Sequence, residues 1–418
     1  MAVAAGLGYG FDSYAVNIYS LVLPAIKDTL HLSLSALGAI SSIFLVGYTI
    51  GTIGFGIAAD RWGRKDTLGV AILLYGLTTT LGGLTKNIAL FTGLRFLTGV
   101  GGAGELAVGA PYTAEMWPPK YRAVGTGGII FSLYSLGYVL AAGTALVVVP
   151  RWGWQLAFIL AIVPAVVVFL VLRRLRESTR FTVARLEALS KQRDGVAKPK
   201  VWQIPGGKKR IAIGWLIYTA NAVGYWGMTV FLTTFMVEKF HLSATSAIEF
   251  ALVFFVGQFF FSYLGTWLAD VVGRRPSAIG AAIIMMAATA LGASATSLTT
   301  YLIFGGLSIA MLGWLWGVGD TYISELFPTV LRGTGFGIAV GGGRVMSIAA
   351  PFAVGSATSA YGPTLPYAAF TGLWILTIIG YALGPETARK ELEEISSEAL
   401  GEHAGHPQST GARAIVDP

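Results

Sequence analysis

Apolar residues run along this chain in long blocks, and polar residues gather in the short gaps between them. A hydrocarbon layer about 30 Å thick needs roughly 20 apolar residues in a helix. Runs of that size, bounded by turn and charge signals, fall at about 2–25, 35–58, 67–84, 88–112, 123–148, 154–172, 211–237, 244–268, 277–295, 299–322, 334–357 and 364–384. The pattern predicts an all-α integral membrane protein with twelve transmembrane helices. It excludes a β-barrel, whose strands would be shorter and would alternate apolar with polar residues. The opening MAVAAGLGYGFDSYAVNIYSLVLP has no basic leading segment and is interrupted by Asp12, so it reads as the first span and not as a signal peptide. That span starts at the first residue without a flanking basic residue, as expected of a shortened N-terminus.

The pattern repeats. The stretch from His31, HLSLSALGAISSIFLVGYTIGTIGFGIAADRWGRK, lies without a gap on the stretch from His241, HLSATSAIEFALVFFVGQFFFSYLGTWLADVVGRR, at an offset of 210 residues with 10 of 35 positions identical. The same offset pairs Glu115 with Glu325, Pro118 with Pro328 and Arg122 with Arg332. Two six-span halves in parallel repeat can rock about a site between them, which is the geometry of a transporter. The expected organisation is an N-terminal half over 1–172, a basic loop over 173–210, a C-terminal half over 211–384 and a tail over 385–418.

Composition agrees. Only 12% of residues are charged and mean hydropathy is +0.67, against the ~25% charged residues of ordinary soluble domains. The absence of cysteine removes disulfides, thiolate metal sites and a cysteine nucleophile. A net charge of +8 would suit nucleic acid, but residues 173–210 alone hold 12 Lys or Arg against 3 Asp or Glu, so the basicity is one loop and no nucleic-acid partner is expected. Basic residues also set orientation. Twenty-three lie on the side of the central loop and four (Lys27, Lys86, Arg151, Lys239) on the other, which predicts a cell-membrane protein with both termini cytoplasmic.

Charges inside the apolar runs are the candidates for chemistry. Asp12, Arg95, Glu105 and Arg344 lie well within spans, and Asp320 lies near the end of the tenth. Each costs at least roughly 2.5–3.5 kcal/mol at mid-bilayer, so each needs a cavity or a partner; the plain alternative is a buried pair that only locks helices together. Arg95 and Glu105 are about 15 Å apart along one helix and cannot pair, but both can border one cavity. Gly8, Tyr9, Asp12 and Tyr19 share a face of the first span. In the second half Tyr218, Asn221, Tyr225 and Thr229 share a face with Trp226 beside it, followed by Gln258, Trp314, Trp316 and Arg344. Rings and amides suit a small polar ligand with an apolar body, and arginine suits a carboxylate; packing and interface anchoring are the alternative for the aromatics. His31, His241, His403 and His406 fall in loops or the tail, so proton coupling would rest on carboxylates. GVGGAG, a formal nucleotide fingerprint, sits mid-span with no strand before it and reads as helix packing. STRFTVARLEALSKQRD in the central loop predicts an amphipathic helix with Phe181, Leu186 and Leu189 as anchors, with ELEEISSEAL its counterpart in the tail and disorder expected beyond residue 400.

DRWGRK after the second span, LADVVGRR after the eighth, RESTRF after the sixth, AEMWPPKYR and SELFPTVLRGTG after the fourth and tenth, and PETARKELEEI after the twelfth together resemble the major facilitator superfamily, most of all its sugar-porter-like and organic-acid:proton symporter branches. The resemblance implies that Asp60, Arg64, Glu115, Arg122, Asp270, Arg274, Glu325 and Arg332 form a cytoplasmic gate of ion pairs. Helix capping and the positive-inside bias would also place these residues there, and exposed pairs are worth only ~0–1 kcal/mol. It further implies that Asp12, in GFD, and Glu105 couple protons. YTANAVGYWGMTVF lacks the glutamine pair of sugar porters, and Asp320 stands where they place a pocket tryptophan, which moves weight from a sugar to a small organic acid. The expected function is proton-coupled symport of such an acid by alternating access, by a monomer in the lipid bilayer, with no cofactor, no metal and no enzymatic step. Arg95, Tyr19, Asn221, Tyr225, Trp226, Gln258, Trp314 and Arg344 are the candidate substrate contacts, with Asp320 open between roles. A sugar or polyol symporter, an efflux antiporter and a non-transporting sensor are the rival readings.

Overall fold

The computed structural model describes residues 2–32, 34–174, 177, 181–183, 185–186, 190, 200–230, 232–242, 244–361 and 364–400. Most of the expected loop helix at 178–194 and the tail beyond residue 400, with His403 and His406, lie outside them. The described residues are helical through nearly all of each predicted span, with turns at Val22 and at Leu160 and Ala161, because backbone polar groups in hydrocarbon must be satisfied within the segment. The first half comprises α1 (Ala2–Leu21), α2 (Leu23–Leu30), α3 (Leu34–Trp62), α4 (Arg64–Leu84), α5 (Ile88–Met116), α6 (Ile129–Ile159) and α7 (Ile162–Arg174). The second comprises α8 (Gly207–Val230), α9 (Leu232–Phe240), α10 (Ala244–Val272), α11 (Arg274–Ser294), α12 (Leu298–Glu325), α13 (Arg332–Tyr361) and α14 (Thr364–Leu383), followed by α15 (Leu392–Leu400). Among the described residues six helical stretches are long and apolar enough to cross a membrane by that measure alone, and one of them, Val124–Arg174, covers two of the expected spans.

The repeat holds to the residue. Bounds of α3 and α10, and of α4 and α11, differ by 210. Asn87 caps α5 by accepting from the Leu90 amide at 3.0 Å, and Ser297 caps α12 by accepting from the Thr300 amide at 3.1 Å. His31 and His241 share a positive φ, as do Gly63 and Gly273. Within the halves α3 packs on α5 as α10 packs on α12, and α1 on α6 as α8 on α13. Between them α3 runs along α13 and α6 along α10, two contacts that the repeat interchanges.

Two departures from the expected boundaries have local causes. The first and seventh spans are each two helices, α1 with α2 and α8 with α9. Helix α6 continues through the loop expected near 149–153 and breaks only at Gly153, whose φ of 79° interrupts the helical path. One asymmetry stands out: a π-helical turn over Val124–Gly128 opens α6, whereas α13 has no such turn. It lies where the halves meet, and a Cβ on Gly127 would overlap the Gly317 carbonyl.

Gly63 and Gly273 open α4 and α11 at φ 109° and 114°, a region left almost wholly to glycine, and each faces a carboxylate, of Glu177 and Glu386 respectively. Those carboxylates accept from the Lys65 amide and from the Arg274 and Arg275 amides. Gly63→Ala and Gly273→Ala should each destabilise by roughly 1–3 kcal/mol, read as a lower melting temperature in detergent; an unchanged melting curve for both contradicts this account of the turns.

Candidate functional site

Two ion-pair networks close the end of the bundle that carries the basic loops. In the first, Arg64 reaches Asp60 at 2.6 Å and Glu115 at 3.1 Å, and Arg332 of the second half reaches the same Glu115 oxygen at 3.1 Å. Asp60 also accepts from the Gly333 and Thr334 amides at 3.0 and 2.6 Å. In the second network, Arg274 reaches Asp270 at 2.7 Å and Glu325 at 3.1 Å, and Arg122 of the first half reaches Glu325 at 3.2 Å. Asp270 accepts from the Ala123 and Val124 amides, both at 3.0 Å. Each aspartate therefore caps a helix start in the opposite half, and each glutamate is shared by arginines of both halves. The four arginines are fully buried. The figure for exposed pairs thus does not apply: removing one partner of a buried pair costs about 3–5 kcal/mol, because the other charge is stranded.

Above this closure lies a small cavity between the halves. Tyr9, Tyr48, Phe131 and Tyr134 line it from the first half, and Tyr225, Trp226, Trp316 and Arg344 from the second. Phe131 stacks on Trp316 with centroids 5.4 Å apart, and the Tyr225 hydroxyl donates to that of Tyr134 at 3.3 Å, so ring contacts cross between halves on two sides of the space. Arg344 is 3% exposed. Its guanidinium lies 4.0 Å from the centroid of the Tyr48 ring and 5.8 Å from that of Trp316, and it donates to the Tyr218 hydroxyl at 2.8 Å. Its Nε has no partner among the described residues. The Tyr48 hydroxyl in turn donates to Asp12 Oδ2 at 3.1 Å, while Asp12 Oδ1 has no such partner and sits against Gly102. Rings around one cation form a lining whose chemistry suits a flat anionic ligand.

Residues 5–253 and 214–411 match the family model described as Major Facilitator Superfamily. The chain belongs to the major facilitator superfamily. It is a multi-pass membrane transporter and not an enzyme. It is 26% identical over 422 residues to the niacin transporter NiaP of Acinetobacter baylyi, covering 93% of this chain and 94% of that one. It is 29% identical over 353 residues to the cis,cis-muconate transport protein of the same organism, covering 82% and 84%. Its fold is similar to that of the proton:xylose symporter XylE bound to 6-bromo-6-deoxy-D-glucose, with a TM-score of 0.81, 19% identity and coverage of 95% and 98%.

The other candidates of this superfamily member are spread around the cavity and not gathered in it. Arg95 is held between the Tyr19 and Phe44 rings, at 4.7 and 4.6 Å, and donates to the Ala15 carbonyl at 3.3 Å. Tyr19 donates to the Leu37 carbonyl. Glu105 is buried with neither carboxylate oxygen partnered among the described residues. Gln258 accepts from Ser135 at 3.1 Å across the two halves, Trp314 donates to Ser277 at 3.0 Å within the second, and Asn221 donates to the Leu315 carbonyl at 3.4 Å. Tyr48, Phe131 and Tyr134 were not among the candidates. The repeat carried a signal for two of them, since the 210 offset sets Tyr48 opposite Gln258 and Tyr134 opposite Arg344.

Because the chain has no cysteine, closure can be read by labelling one introduced thiol. Thr321 is buried, accepts from the Gly127 amide at 3.2 Å and lies at the closed end. In a Thr321→Cys background, Glu115→Gln and Glu325→Gln should each raise the maleimide labelling rate at least about tenfold, from the ~3–5 kcal/mol attached to a stranded buried charge. Equal rates would mean that the networks do not hold this end shut.

Proposed function

We propose that this transporter is a proton-coupled symporter of a small organic acid with a flat apolar body. Arg344 carries the reading: a buried guanidinium with an unspent donor, set among rings at the edge of a cavity that both halves build. A carboxylate can dock on it by charge-assisted hydrogen bonds while its body lies between Phe131, Trp316 and Tyr225. The two relatives, a niacin transporter and a cis,cis-muconate transport protein, support an acid over a sugar. So does the lining, to which Asn221 and Gln258 contribute no amide.

The cycle we infer is alternating access by rocking of the halves at 1–172 and 211–384, in a monomer with both termini and the loop at 173–210 in the cytoplasm. On that orientation the paired networks at Asp60, Arg64, Glu115, Arg332 and at Asp270, Arg274, Glu325, Arg122 are an inner gate, and this conformer is shut on the inside. Asp12 and Glu105 carry the proton in the first half. Substrate binding at Arg344 withdraws that cation from the field at Asp12, which favours protonation of the carboxyl and so ties proton uptake to substrate.

Uptake into proteoliposomes from a mixture of nicotinate, benzoate, cis,cis-muconate and xylose tests the class. An inward proton gradient should drive accumulation of one or more acids and not of xylose, and Arg344→Ala should abolish it. Accumulation of xylose, or acid uptake unaffected by Arg344→Ala, contradicts the reading. Asp12→Asn should lower the acid gradient that the protein sustains yet keep exchange of labelled for unlabelled acid; a variant that concentrates the acid as far as the wild type removes Asp12 from the coupling step.

A further inference from the structure

Asp320 lies on α12 with 1% of its surface exposed, and neither carboxylate oxygen has a hydrogen-bond partner among the described residues. The contrast with the other second-half acids is sharp. Asp270 spends its oxygens on the Ala123 and Val124 amides and on Arg274, and Glu386 spends its own on the amides of Arg274, Arg275, Thr387 and Ala388. Those carboxylates cap and clamp, whereas Asp320 does neither. The charged and titratable groups near enough to act on it electrostatically include Arg344 of α13, Tyr218 of α8, Tyr9 of α1 and Tyr381 of α14. Beside it at Gly319 a Cβ would meet the Asn221 amide nitrogen at 3.1 Å and the Tyr381 hydroxyl at 3.7 Å. Asn221 Oδ1 and the Tyr381 hydroxyl are without partners among the described residues as well. An ionised carboxylate with its bonds unmade in such surroundings costs several kcal/mol. It persists only as the neutral acid or against a cation, and the cation in reach of its field is Arg344.

We propose that Asp320 is a second proton-carrying carboxyl, contributed by the second half and exchanging with the substrate carboxylate for the charge of Arg344. The assignment rests on the organic-acid reading above. With the cavity empty, Arg344 is the counter-charge of ionised Asp320. When a carboxylate docks, the guanidinium pairs with it, and Asp320 takes one proton from the side to which the cavity is open. When the carboxylate leaves on the other side, that proton leaves with it. Charge balances at each stage, and the proton bound at Asp320 adds to the one carried by Asp12 and Glu105. A monocarboxylate then enters with a net positive charge.

The test is the membrane-potential dependence of nicotinate and benzoate uptake by the full chain in proteoliposomes, with potential set by potassium and valinomycin at a fixed pH gradient. For the wild-type protein an inside-negative potential of about 100 mV should raise accumulation by up to roughly 50-fold for one net charge. Asp320→Asn should keep uptake driven by the pH gradient and lose its response to potential; Asp320→Glu should regain that response. Wild-type uptake indifferent to potential, or Asp320→Asn uptake that still responds, overturns the assignment. Should Asp320→Asn fail to fold, the wild-type proton-to-nicotinate flux ratio decides, a ratio of one overturning it and a ratio of two supporting it. A requirement for sodium in place of a proton gradient also overturns it. Absence of any nicotinate or benzoate uptake by the wild-type protein is a different outcome, which removes the organic-acid reading and this assignment with it.

Discussion

A charge inside hydrocarbon must be matched, and this molecule is organised around how its charges find their matches. Glu115 and Glu325 are the clearest case, each bound by an arginine of its own half and by one of the other half. Such sharing makes closure a cooperative event. The arginines cannot be stranded one at a time without cost, so this end is either paired or opened to water, where solvent takes over the matching. The aspartates extend the same logic to the backbone, since Asp60 and Asp270 each satisfy amides that open a helix of the opposite half.

The central charges are matched differently. Arg344 has no ion-pair partner among the described residues and is held by ring faces and one hydroxyl. Cation–π contacts of this kind are worth roughly 0.5–2 kcal/mol each, enough to hold a guanidinium in place but less than a carboxylate would offer. Under the proposed function, the site is strong enough to keep its shape when empty and weak enough to prefer an anion. Arg95, between Tyr19 and Phe44, is held by the same device elsewhere in the first half. Where pairs would make the bundle static, aromatic faces leave a cation available.

Much of this was legible in the sequence because periodicity and charge are local signals. The spans follow from apolar runs, and the 210 offset seen between Gly63 and Gly273 reappears in helix bounds and in their positive φ values. The residues of the two ion-pair networks were visible as charges at helix ends. Their burial was not, because it comes from contact between halves, and so their energetic weight was set too low. Tyr48, Phe131 and Tyr134 escaped notice because an aromatic residue on an apolar helix looks the same whether it meets lipid, a neighbour or a cavity. Trp314 shows the converse: it has the composition of a pocket residue, yet it donates to Ser277 and packs over Gly265.

The repeat also explains why the cavity is chemically lopsided. Two halves with one ancestral pattern would place like residues on opposite walls, and a symmetric wall binds a symmetric ligand. Here the offset sets Arg344 against Tyr134 and Gln258 against Tyr48, while Asp12 has Ala222 as its counterpart and Asp320 has Ala110. The cation is thus confined to one wall, and each half keeps its own carboxyl in its field. A ligand with one charged end and one apolar body is oriented by that difference. On the proposed cycle, in which the halves move against each other, the distance from Arg344 to the first-half carboxyl depends on the state of the gate, whereas its distance to Asp320 is set within a single half. Under that proposal, coupling between charge and conformation requires no element beyond a rocking of the halves that breaks and remakes the paired networks.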